Sequence, residues 1–282
     1  MPDRLERLAD LGAHYNTVLC DVWGVLHNGV QAWPLAVEAL VAFRSRGGSV
    51  ILITNSPRRH IGVGEQLGHM GVDPDAYDRL VTSGDVTRAL ISSGSNQVYF
   101  VGPDRDLPLF EGLGVELVGL DHAGTVVCTG LYDDENEKPE EYLSILEEFR
   151  NRDLPFICAN PDLVVERGER LIPCAGSLAA LYEKMGGQTL VSGKPHAPIY
   201  DACLSAASEL RDQVDKGRVI AIGDGMPTDV KGAQDYGLDL LYVTGGIHAR
   251  EYTQNGVVDE NRLHAFLQQH EAHPVRWMQR LR

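Results

Sequence analysis

The 282-residue chain carries 40 acidic against 25 basic residues, a formal net charge of −15. That balance argues against a general nucleic-acid or anionic-membrane surface, although a local cationic pocket can still take a phosphate. Charged and apolar fractions are those of an ordinary soluble globular protein, with length enough for two modest domains.

Residues 1–15 read as a charged helix with Leu5, Leu8 and Leu11 on one face, and they lack the apolar centre of a signal peptide. No apolar run approaches a membrane span, so a cytoplasmic protein without a membrane partner is expected. Short apolar runs predict strands over 17–20, 49–54, 97–101, 125–129, 155–158, 189–191, 219–222 and 240–243. Helical patterns lie between them. One over 34–46 carries Leu35, Val37, Leu40, Val41 and Phe43; another opens at Pro139 and carries Tyr142, Leu143, Leu146 and Phe149. This alternation predicts parallel α/β structure. The five cysteines are odd in number, sit in apolar contexts and lack Cys-x-x-Cys spacing, so reduced buried thiols are expected.

Four segments carry chemistry. The strand-like run ending in Cys20 delivers Asp21 and then Val22-Trp23-Gly24, a carboxylate where open α/β sheets place their sites. A carboxylate there can act as a nucleophile toward phosphorus, dividing one hard hydrolysis into two easier steps. Thr54, Asn55 and Ser56 follow the second strand, where hydroxyl, amide and backbone N–H groups can hold a phosphoryl oxygen; the same residues also make helix caps. Lys194, between Gly193 and Pro195, supplies a cation for the same phosphate. Asp224 and Asp229 stand in Gly-Asp-Gly-Met-Pro-Thr-Asp behind the apolar run 219–222. Two anions meet only across a counter-ion, and Mg²⁺ prefers one or two carboxylates with waters and phosphate oxygens. Asp224 therefore suits direct ligation and Asp229 an outer role on a ligand water.

The first two segments and the last two are separated by a stretch with strands and helices of its own, too long and too structured for a loop. The expected plan is a discontinuous core, 1–82 with 188–282, and an inserted α/β domain over 83–187. Asn160 and Asp162 follow a strand of that insertion and either face the substrate or make a plain turn. The acidic run 133–137 reads as a solvated loop, and His264, His270 and His273 as surface residues without metal-ligand spacing.

In order and spacing, Asp21-Val22-Trp23-Gly24-Val25-Leu26, Thr54-Asn55-Ser56, Ala159-Asn160-Pro161-Asp162, Gly193-Lys194-Pro195 and Gly223-Asp224 through Asp229 resemble the haloacid dehalogenase-like superfamily. More narrowly, they resemble its class IIA branch of sugar-phosphate and nitrophenyl-phosphate phosphatases. The resemblance covers nearly the whole chain. It implies a Rossmann-like parallel-sheet core, an inserted α/β cap of the C2 type, and hydrolysis of a small phosphorylated metabolite with Mg²⁺. It also implies that Asp21, Asp224 and the Trp23 backbone carbonyl bind that metal. A homodimer is one oligomeric state it brings with it, which the sequence leaves open.

One position departs from the pattern. The family usually places a second Asp two residues after the nucleophile, as acid toward the leaving group and base toward water; here it is Trp23. Indole cannot move that proton, and losing such a group typically costs about 10²–10⁴-fold in rate. His27 or another group would have to substitute, and nothing in the sequence places one there. Two rival readings follow: a phosphometabolite-binding protein without turnover, and a dehalogenase, whose leaving halide needs no proton. Asp224 with Asp229 speaks against the second, which has no use for a metal.

Overall fold

The run Thr17–Asp21 is buried at every residue, the mark of a strand covered on both faces, and so are Ser49–Thr54 and Val219–Gly223. In the computed structural model, which describes residues 2–168, 170–211 and 213–282, these three are the centre of a seven-stranded sheet. Its spatial order is Asp3–Arg4, Arg276–Met278, Asp239–Val243, Val219–Gly223, Thr17–Asp21, Ser49–Thr54 and Arg79–Thr82. The five pairings from Asp3–Arg4 through Ser49–Thr54 are parallel. From Thr17–Asp21 the chain first builds outward through Ser49–Thr54. Much later it returns to build the other way from Val219–Gly223. The strand order therefore reverses between Thr17–Asp21 and Val219–Gly223, and doubly wound sheets open a ligand crevice at the carboxyl ends of such a pair.

The crossover helix Pro34–Ser45 starts where Trp33 is still extended and Pro34 takes the first helical position, and Gly47 at φ 83° ends it. Ala36, Val37, Leu40 and Phe43 form its buried face at helical spacing. Gly48 then lies so close to the Phe43 ring that a Cβ there would overlap it.

Two compact units divide the chain. The first comprises Met1–Thr54, Gly64–Val81 and Tyr200–Arg282, and the second Asn55–Val63 and Thr82–Ile199. The second has its own parallel sheet, in the order Thr189–Val191, Phe156–Cys158, Thr125–Cys128, Gln97–Val101 and Glu116–Leu117. One face packs Phe149, Phe156, Tyr182 and Leu178, and the other Ile91, Val98, Val127 and Ile157. A separate hairpin pairs Val164–Arg167 with Arg170–Pro173.

Three expectations change. Residues 1–15 are no amphipathic helix: Asp3–Arg4 joins the sheet edge beside Arg276–Met278, and only Leu8–Leu11 makes a 3₁₀ turn. A sheet edge can capture a charged dipeptide through its backbone alone, which composition does not reveal. The division expected at residue 187 falls inside the second unit, because Thr189–Val191 hydrogen-bonds to Phe156–Cys158. The acidic run 133–137 is not simply solvated. Asp134 pairs with both Arg105 and Arg167 (3.0 Å to the latter), which hold its carboxyl below the usual range against the pull of burial.

Candidate active site

In the first unit, three carboxylates converge at the carboxyl end of the sheet. Asp21 ends its strand, Asp224 follows Val219–Gly223 directly, and Asp229 sits one helical turn further on. Each is about 5 % exposed, and one oxygen from each lies within 4.8 Å of the others. Among the described residues this is the one such cluster of possible metal ligands. Three carboxylates held this close and out of water stay ionised together only with a cation nearby, and an all-oxygen donor set suits Mg²⁺ or Ca²⁺. The residues fit the metal that the sequence implies.

The loop around Asp224 is built for close approach. Gly24, at φ 88°, and Gly246 both press on the Asp224 carboxylate, and a Cβ on either would overlap its oxygens. Asp224 Oδ2 accepts the Ile247 N–H at 2.7 Å, which fixes the rotation of the carboxylate. Asp229 Oδ2 accepts the backbone N–H groups of Asp224 (3.3 Å) and Gly225 (3.0 Å), and His248 Nε2 accepts that of Met226 (3.2 Å). Three successive loop donors thus end on two side chains. Asp229 shapes the loop as well as facing the cluster.

Thr54 closes the strand next to Asp21, whose register partner there is Ile53. Trp23 follows the same strand end as Asp21, partly exposed and edge-on to His27, with ring centroids 5.0 Å apart. His27 is 2 % exposed, and its Nδ1 accepts the Gly29 N–H at 2.9 Å, so the ring proton sits on Nε2. Burial pushes its pKa down to about 4. A neutral imidazole has no acidic proton at pH 7. His27 is therefore not the acid that Trp23 lacks.

In the second unit, Lys194 is 3 % exposed and its loop is clamped by Asn55. Asn55 Oδ1 accepts the Lys194 N–H at 2.7 Å, while Nδ2 donates to the Lys194 carbonyl (3.1 Å) and to Asp162 Oδ1 (2.8 Å). Both amide hydrogens are spent. Asn55, expected among the phosphate donors, instead uses its side chain to brace the lysine. Asn160 Oδ1 accepts the Asp162 N–H at 3.1 Å, so Asn160 and Asp162 form a local turn whose carboxylate joins the same brace. Gly193 lies against Ser83 Oγ, Asn55 Oδ1 and Pro161, where a Cβ would stand 2.6, 2.7 and 2.9 Å from them. Ser56 Oγ accepts the Arg58 N–H at 3.3 Å, and its carbonyl accepts that of Gly84 at 3.0 Å.

The sequence motifs did not include the supports Gly246, Ile247, His248 and Ser83. Only Gly245-Gly246 directly behind a strand gave a signal, since paired glycines there suggest close backbone approach.

Residues 18–116 match a model described as haloacid dehalogenase-like hydrolase, and residues 191–267 one described as HAD-hydrolase-like. A crystal structure of a haloacid dehalogenase-like hydrolase from Brucella suis 1330 is 50 % identical over the whole of both chains, with a TM-score of 0.89. The chain belongs to the haloacid dehalogenase-like hydrolases. Within that superfamily it is similar to the 5′-nucleotidase YutF of Bacillus subtilis, at 26 % identity over 84 % of this chain and 90 % of the relative. The ribonucleotide monophosphatase NagD of Escherichia coli K12 is 26 % identical over 82 % of this chain and 88 % of its own. No helix among the described residues is long and apolar enough to cross a membrane.

Proposed function

We propose that this haloacid dehalogenase-like hydrolase cleaves a small phosphate monoester by way of an aspartyl-phosphate on Asp21. The observation that carries the reading is the buried carboxylate cluster of Asp21, Asp224 and Asp229 at the strand-order reversal. The names of the relatives, a 5′-nucleotidase and a ribonucleotide monophosphatase, support a phosphorylated metabolite as substrate. Asp21 and Asp224, with the Trp23 carbonyl, are the groups that would hold Mg²⁺. When bound, the metal offsets the charge of the phosphoryl oxygens facing the nucleophile. The Asp21 carboxylate attacks phosphorus, the ester P–O bond breaks, and water later cleaves the acyl phosphate. Thr54, Ser56 and the Lys194 ammonium are read, from motif order, as the groups that hold the phosphoryl oxygens. The second unit, from Thr82 to Ile199, is read as a cap that selects the leaving group and keeps out bulk water.

Trp23 shapes the chemistry. Without a general acid, the leaving group departs on its own acidity. A second reading, a phosphometabolite-binding protein without turnover, draws on the same position and on the neutral, buried His27.

The test is a phosphate-release screen over metabolites with Mg²⁺, run beside Asp21→Asn and Asp224→Ala and with chelator. Asp21→Asn should abolish release, and Asp224→Ala should abolish both release and Mg²⁺ binding by calorimetry. Full activity of Asp224→Ala in chelator would remove the metal assignment. Tight ligand binding with no release by the wild type would favour the binding protein.

A further inference from the structure

The loop that carries Asp224 is held from behind by a side chain that no motif includes. The Met226 N–H opens the helical turn Met226–Val230, and its one side-chain acceptor is His248 Nε2, at 3.2 Å. A ring nitrogen accepts only when it carries no proton, so His248 is neutral with its proton on Nδ1. Burial favours that form. The imidazole is itself fixed by packing. Its ring lies 5.4 Å from that of Phe266, and Phe266 is 4.5 Å from His270 and 5.3 Å from Tyr252. Phe266 and His270 belong to the helix Glu260–Gln269 and its cap. Immediately before His248, the Ile247 N–H holds Asp224 Oδ2. One short segment therefore grips both the carboxylate and the backbone two residues beyond it.

We propose that His248 is a positioning residue for the metal site, acting through the Met226 amide to set the path of the Asp224–Met226 backbone and hence the aim of Asp224. The inference rests on the reading of Asp21 and Asp224 as metal ligands. It goes beyond that reading by giving His248, a residue outside every motif, a part in the site. Outer groups that orient metal ligands typically govern about 10–100-fold in affinity. Because His248 works through backbone, the lower end applies.

The experiment is Mg²⁺ titration of the full chain by calorimetry for wild type, His248→Phe, His248→Gln and His270→Leu. His248→Phe keeps a ring on Phe266 and deletes the acceptor, so its affinity should fall about tenfold. His248→Gln offers an amide oxygen to Met226 and should recover to within about threefold of wild type. His270→Leu removes a ring 6.5 Å from that of His248 but leaves the Nε2 acceptor in place, and should bind Mg²⁺ as wild type does. Amide exchange at Met226 in the metal-free wild type adds a readout that needs no variant: the bond requires protection there. Wild-type affinity in a folded His248→Phe, an equal loss in His270→Leu, or an unprotected Met226 amide would each overturn the role of His248 alone. A wild type that binds no Mg²⁺ would overturn the metal reading, and this proposal with it.

Discussion

On the proposed aspartyl-phosphate reading, the side chain at Trp23 decides which esters the protein can turn over. With no donor, a nitrophenolate departs readily as the anion and a sugar alkoxide does not. Aryl or acyl phosphates should therefore be hydrolysed measurably and alkyl phosphates very slowly. Trp23→Asp should raise alkyl-phosphate turnover by at least about tenfold, provided the carboxylate is not misplaced in the space the indole leaves. Comparing kcat/KM for the two ester types in both proteins checks this, and efficient wild-type alkyl hydrolysis would show another donor at work. His27 should not be that donor, and its influence should appear in stability instead. Its folded pKa, about 4, lies below the ordinary 6.5, so the charged form is disfavoured in the fold. The stabilisation is fully present above pH 6.5 and is lost as pH falls toward 4, an effect of about 3 kcal/mol over that window. Thermal melts in chelator at neutral pH and at about pH 4.5 should show a smaller acid-side drop for His27→Gln than for wild type. Equal drops would assign the acid sensitivity to other groups.

The loops behind the strands explain why the acidic site was more legible than the lysine site. Asp21 and Asp224 stood out because each follows an apolar run and the four segments fit one chemistry in order, and their strands sit side by side with Asp21 opposite Ile53. The braces did not stand out. Asn55 and Asp162 are common turn residues, and their job depends on partners more than a hundred positions away in the chain. Short strands such as Asp3–Arg4, Glu116–Leu117 and Arg276–Met278 were missed for a related reason: two or three residues leave no periodicity to read. Gly193 tests whether the brace matters. A methyl there meets Ser83, Asn55 and Pro161 inside 3 Å, so the Lys194 loop must shift. Gly193→Ala should destabilise the fold by about 1–3 kcal/mol and lower phosphatase kcat/KM by more than its loss of stability explains. Denaturant melts beside kinetics at saturating Mg²⁺ separate the two, and unchanged kinetics would make the brace purely structural.

At the scale of the whole molecule, each of the two units carries its own parallel sheet and its own core, and the cysteines divide between them. Cys20 and Cys203 lie in the first unit, Cys128, Cys158 and Cys174 in the second, and all five are buried thiols outside any disulfide. Burial lifts the Cys158 thiol to about 12 and drives those of Cys128 and Cys174 well above the ordinary value, so almost no thiolate exists near neutrality. The native protein should resist a thiol reagent at about pH 8, since reaction needs both the anion and access. Opening should then expose the thiols in the groups set by the two cores. Cys128 and Cys158 are register partners on neighbouring strands and share the core of Phe149, Phe156 and Tyr182, so the two cannot be uncovered without losing that core. Pulse labelling along a urea gradient, resolved by peptide mass, should show these two reacting together, whatever the other three cysteines do. Labelling of either one well before the other would mean that the second unit opens piecemeal, with the strands Thr125–Cys128 and Phe156–Cys158 parting before the core is lost.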